Sequence, residues 1–96
     1  MESIEEKFGK AISLIKGARN ILLVSHRRPD GDTLGASVAL NLTLKQLDKT
    51  SVLACMDEIP DRVYFLPEVD NFVREFNLRS FDLIIITASP PEYFSF

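Results

Sequence analysis

The single histidine of the chain, His26, stands in the stretch SHRRPDGDTLG, from Ser25 to Gly35, with Asp30 and Asp32 close behind it. One imidazole and two carboxylates in so short a run form a donor set for Mn²⁺ or Mg²⁺, hard cations that take oxygen ligands and, for Mn²⁺, an occasional imidazole. Zinc is disfavoured, because no thiolate or second histidine is near. Asp30 and Asp32 are two positions apart, so an extended backbone turns both carboxylates to one side. Pro29 holds Arg28 extended, and Gly31 permits a left-handed conformation for a sharp entry into whatever follows. Arg27 and Arg28 are candidate contacts for a phosphate, although arginines in an exposed turn are commonly just solvated. A second reading needs no chemistry. Pro29-Asp30-Gly31-Asp32 is a turn signal, Asp32 or Thr33 suits a helix N-cap, and His26 is then a partly buried side chain satisfied locally.

The cluster is placed by its flanks. The apolar run Ile21 to Ser25 predicts a buried strand before it, and Ala36 to Leu47 predicts a helix after it. His26 therefore falls at the carboxyl end of a strand, where α/β sheets gather their functional residues. Ahead of that strand, Ile4, Phe8, Ala11, Ile12 and Ile15 share one helical face, and Ser3 with Glu6 makes a capping box, which predicts an amphipathic helix from Ser3 to about Ala18. In the second helix Leu34, Val38 and Leu42 form one stripe and Leu40, Leu44 and Leu47 another, so cover is expected on two sides. Thr50 to Met56 predicts a second strand, and Pro60 to Leu66 a short helix begun by its proline. Phe72 to Phe76 predicts an edge strand, and Phe81 to Thr87 a buried strand with no solvated face. This order implies an α/β fold with a mostly parallel sheet, flanking helices and right-handed crossovers, spanning residues 1–96 as one domain.

Composition narrows the function classes. A net charge of −3 over 96 residues argues against non-specific nucleic-acid binding, which needs a surplus of Lys and Arg to neutralise phosphates. Cys55 is the only cysteine, so no disulfide framework exists within the chain, and its apolar neighbours make it a buried thiol. No apolar run approaches the ~20 residues of a membrane span, and the amino terminus MESIEEKF is acidic, unlike a signal or transit segment. A cytoplasmic location is the expectation. The second helix and the last strand carry more apolar surface than a chain of this length readily covers, which predicts a homo-oligomer or a complex with another polypeptide.

His26, Pro29, Asp30, Gly31, Asp32, Leu34 and Gly35 together resemble the first motif of the DHH phosphoesterase family, H-x-x-P-D-x-D followed by a small-residue helix start. Val38, Ala39 and Leu40, the segment IPDRVYFLPEV (Ile59 to Val69) and the strand FDLIII (Phe81 to Ile86) resemble the oligoribonuclease and pAp-phosphatase-like branch in the same order. The resemblance implies the amino-terminal half of a DHH-type domain. It assigns His26 and Asp30 to one Mn²⁺ (or Mg²⁺) and Asp32 to a second. It also implies a metal-dependent attack of water on the phosphate ester of a short nucleotide or oligonucleotide.

The sequence departs from that pattern after the last strand. The family carries there an aspartate that bridges both ions, whereas this chain reads IIITASPPEYFSF, with Ala88 at the position or the aspartate deleted between Thr87 and Ala88. Asp82 begins the strand and lies about 16 Å from its far end at ~3.3 Å per residue. Glu92 would serve only by looping back, along a path that Pro90 and Pro91 constrain. The DHH triplet, a fourth aspartate and the substrate-binding domain would follow Phe96. The expectation is weak metal binding, with activity belonging to a longer or assembled form. The alternative is a non-catalytic, truncated relative acting as a protein interaction module, with Tyr93, Phe94 and Phe96 as a docking segment.

Overall fold

The computed structural model describes residues 2–25 and 31–87. Helix α1 (Ile4–Gly17) leads into strand β1 (Asn20–Ser25), helix α2 (Gly31–Gln46), strand β2 (Thr50–Cys55) and, after three short 3-10 turns, strand β3 (Leu83–Ile86). The sheet order is β2-β1-β3, and both pairings are parallel. The fold is therefore α/β, with a parallel sheet flanked by helices. No helix among the described residues is long and apolar enough to cross a membrane.

Each element has a local cause. The backbone N–H of Glu6 donates to Ser3 Oγ at 3.1 Å, the N-cap bond that starts α1, and Ser3 Oγ in turn donates to Glu6 Oε1 at 3.3 Å. At the other end Lys49 Nζ donates to the carbonyls of Lys16 at 3.1 Å and Ala18 at 2.7 Å, groups that the helix itself leaves unpaired. β1 is the centre of the molecule: Ile21, Leu22, Leu23 and Val24 are all buried. Ile21 and Leu23 pack with Leu53, Val38 and Leu44 on one face, with Leu83, Ile85 and Ile15 against them. Leu22 and Val24 pack with Ala54 on the other, beneath Val73, Phe76 and Phe81.

Several sequence expectations change. α2 begins at Gly31 in helical conformation, and no glycine has a positive φ; Asp48 and Glu68 take the left-handed region instead. Nor is α2 covered on two sides. Its buried stripe is Thr33, Leu34, Ser37, Val38, Asn41 and Leu44, while Leu42 and Leu47 are exposed. Polar residues sit in that stripe because other elements supply their partners. Asn41 receives a hydrogen bond from Ser51 and donates to Glu68, which also pairs with Lys45. The segment from Phe72 to Phe76 contributes only an isolated parallel bridge, Val73 to Ala54, secured by Val73 N–H to Leu53 O at 2.8 Å and Cys55 N–H to Val73 O at 2.9 Å. The helix expected after Pro60 shrinks to a 3-10 turn, Asp61–Val63. β3 is shorter than its apolar run and half-buried, with Ile84 exposed, because it pairs with β1 alone and its outer edge has no strand partner among the described residues.

Candidate functional site at the carboxyl end of the central strand

His26, Arg27, Arg28 and Asp30 lie outside the described residues, as do Ala88 and Glu92. What surrounds them is described. β1 ends at Ser25 and α2 starts at Gly31, so the segment 26–30 joins the carboxyl end of the central strand to the amino end of a helix. From β1 the chain passes through α2 to β2 on one side, and later returns to β3 on the other. The connectivity thus reverses direction at β1, and crevices at such reversals, outside the carboxyl ends of the strands, are where open α/β sheets bind ligands.

The frame of this end is closely tied. Ser25 Oγ and Ser37 Oγ are hydrogen-bonded at 3.2 Å, both buried, so the last residue of β1 is fixed to the second turn of α2. Thr87 donates its N–H to Val24 O at 3.1 Å and its hydroxyl to the same oxygen at 3.3 Å, which extends the β1–β3 ladder to this end. Ser25 is in register with Cys55 of β2. Cys55 is buried, and desolvation pushes its thiol above its ordinary pKa.

Asp32 is exposed in the first turn of α2, where the helix dipole favours a negative charge. Since α2 starts at Gly31, neither Asp32 nor Thr33 occupies the capping position expected for one of them; both lie inside the first turn. Thr33 is buried. Among the described residues no group of three or more His, Cys, Asp and Glu side chains could hold a metal ion.

Asp82 is at the opposite end of the sheet, consistent with its exclusion as a replacement ligand. Its carboxylate accepts the backbone N–H of Arg19 at 3.0 Å and that of Asn20 at 3.0 Å. The Arg19 bond, helped by Asn20 and opposed by desolvation, holds its pKa below the ordinary value.

Sequence reasoning missed a cavity of about 210 Å³ beside the carboxyl end of β2, walled by Ile59, Tyr64, Val69 and Phe72, with Asp57, Glu58, Asp70 and Arg74 at its lining. These residues come from three separate stretches, and no spacing rule relates them. A larger cleft of about 620 Å³, lined by Lys16, Arg19, Asp48 and Lys49, lies at the amino ends of the strands, away from the candidate site.

Compared with known proteins, no protein-family model and no curated sequence matches the chain.

Proposed function

We propose that this chain is the amino-terminal, metal-binding half of a Mn²⁺-dependent phosphoesterase of the DHH type that hydrolyses short nucleotides or oligonucleotides. One observation supports this reading above the others. His26 directly follows the central strand at the reversal of the sheet order, and Asp32 is presented, exposed, six residues later in the first turn of α2. The donor set fits a hard divalent cation: His26 and Asp30 serve one ion and Asp32 a second. When bound, such ions activate water and stabilise the oxygens of the phosphoryl group. Arg27 and Arg28 contact the phosphate, and the buried Ser25–Ser37 bond fixes the spacing between the ends of the segment that carries these ligands. Ala88 stands where the resemblance calls for a bridging carboxylate, so two like-charged ions lack a shared ligand. The chain therefore holds Mn²⁺ weakly and turns over little by itself. A cytoplasmic location accompanies this reading.

Calorimetric titration tests it. Mn²⁺ should bind the wild type, and His26→Ala and Asp30→Ala should each abolish the heat of binding. Unchanged affinity in both variants would leave only the turn reading.

A second reading, a non-catalytic interaction module, is favoured by one feature. Ile4, Phe8 and Ile12 of α1 are 72, 65 and 49% exposed along a single helical stripe. An apolar stripe of this length serves a partner, either a second copy of the chain or another polypeptide.

A further inference from the structure

We infer that the cavity beside the carboxyl end of β2 is a nucleobase pocket, best matched to guanine; this rests on the phosphoesterase reading and names the part of the substrate that the metal segment does not hold. Its position is the first argument. Cys55 lines the cavity and is in register with Ser25, the residue before the candidate metal segment. Val63, next to the lining residue Tyr64, has its Cγ1 3.7 Å from where a β-carbon on Gly31 would stand, and Gly31 is the first residue after that segment. The cavity thus lies near the carboxyl end of β1 and the start of α2.

Its lining is the second argument. Ile59, Val69 and Phe72 provide apolar walls, and Tyr64, half-exposed at 50%, offers a ring on which a flat heterocycle can stack. A volume of about 210 Å³ has room for a base. Carboxylates only accept hydrogen bonds, so Glu58 and Asp70 call for a base rich in N–H donors, while a guanidinium such as that of Arg74 suits the O6 and N7 acceptors of guanine. Guanine carries both sets in full, with N1–H and N2–H2 on one edge and O6 and N7 on another; adenine offers N7 without a neighbouring carbonyl, cytosine has no N7, and uracil has a single N–H donor. The excess of carboxylates, Asp57 among them, over the one guanidinium also disfavours phosphate inside the cavity.

The test uses guanosine, uridine and ribose 5-phosphate as probes, added to isotope-labelled protein in the presence of a chelator. Guanosine should shift the amide resonances of Glu58, Tyr64, Asp70 and Arg74, and ribose 5-phosphate should leave them in place. Tyr64→Ala should weaken guanosine binding about tenfold or more, the loss expected for one stacked base. Asp70→Asn, an exposed substitution that spares the core, should narrow the preference for guanosine over uridine, and it carries the test if Tyr64→Ala is unfolded. The inference is overturned if guanosine leaves these amides unmoved, or if ribose 5-phosphate moves them as far. Because a metal-free nucleoside needs neither His26 nor Asp30, the two proposals fail separately. Guanosine binding without Mn²⁺ binding removes the phosphoesterase reading alone, and the reverse removes the pocket alone.

Discussion

Ser25 and Ser37 show how a pair of small polar side chains can matter more than its size suggests. Each hydroxyl is buried with the other as partner, and a buried hydroxyl left alone loses its hydration without compensation. Ser37→Ala should cost about 1–3 kcal/mol in chemical denaturation, with Ser25→Ala similar. The double variant should lose clearly less than the sum, because neither hydroxyl then remains stranded. Additive losses would mean that the bond contributes nothing to stability. At this scale the candidate site was readable in part. His26, Asp30 and Asp32 stand out because an imidazole and two carboxylates share a short run, and that signal needs no fold. The serine pair gives no such signal, since its members lie 12 residues apart on a strand and a helix. Gly31 misled for a related reason. The Pro29-Asp30-Gly31-Asp32 string carries turn chemistry, yet the helix begins at Gly31 itself, and the glycine never needs a left-handed φ.

Elements were readable where local chemistry decides them and unreadable where distant residues do. The N-cap of α1 needs only Ser3 and Glu6, and β1 announces itself by an unbroken apolar run. The apolar content of FDLIIIT predicted a strand covered on both faces, but its place at the sheet edge is a property of topology that no run of four isoleucines and leucines encodes. α2 hid its buried side because Asn41 lies on it, satisfied by Ser51 and Glu68 from other parts of the chain. Asp82 is the element-scale contact most open to experiment, since it fastens the start of β3 to the turn between α1 and β1. The native carboxylate is held below its ordinary pKa of 3.8. Its contribution to stability is therefore present above that value and is lost as the pH falls through the lower native one. Asp82→Ala should lower the melting midpoint at neutral pH, and the gap to wild type should shrink as the pH drops below about 4. A gap independent of pH would point to packing in place of the charge.

For the whole molecule, the excess apolar surface anticipated on α2 and β3 is carried more heavily by α1, none of whose residues is buried. Its inner end is held by Ile15 against the core, while Ile4 and Phe8 face outward. Burying one phenylalanine side chain stabilises by about 1.5–3 kcal/mol, so a few such contacts shared with a partner are enough to hold it. Light scattering at high concentration should show the wild type associating. Phe8→Glu should return it to a monomer without lowering its melting midpoint, since the ring contributes little to the fold itself. A wild type that stays monomeric would refute this.

The one-sided pairing of β3 bears on how the molecule opens. β1, α2 and β2 are consecutive, whereas β3 joins them only after an excursion through residues 56–82 that contains no long element. Backbone amides of β1 that point toward β2 should therefore exchange with solvent only through near-global unfolding. Those bonded to β3 should exchange sooner, by detachment of a single strand. Such a detachment would also break the bonds from Thr87 to Val24 O, so the stretch that carries the candidate chemistry borders the least secure seam of the sheet.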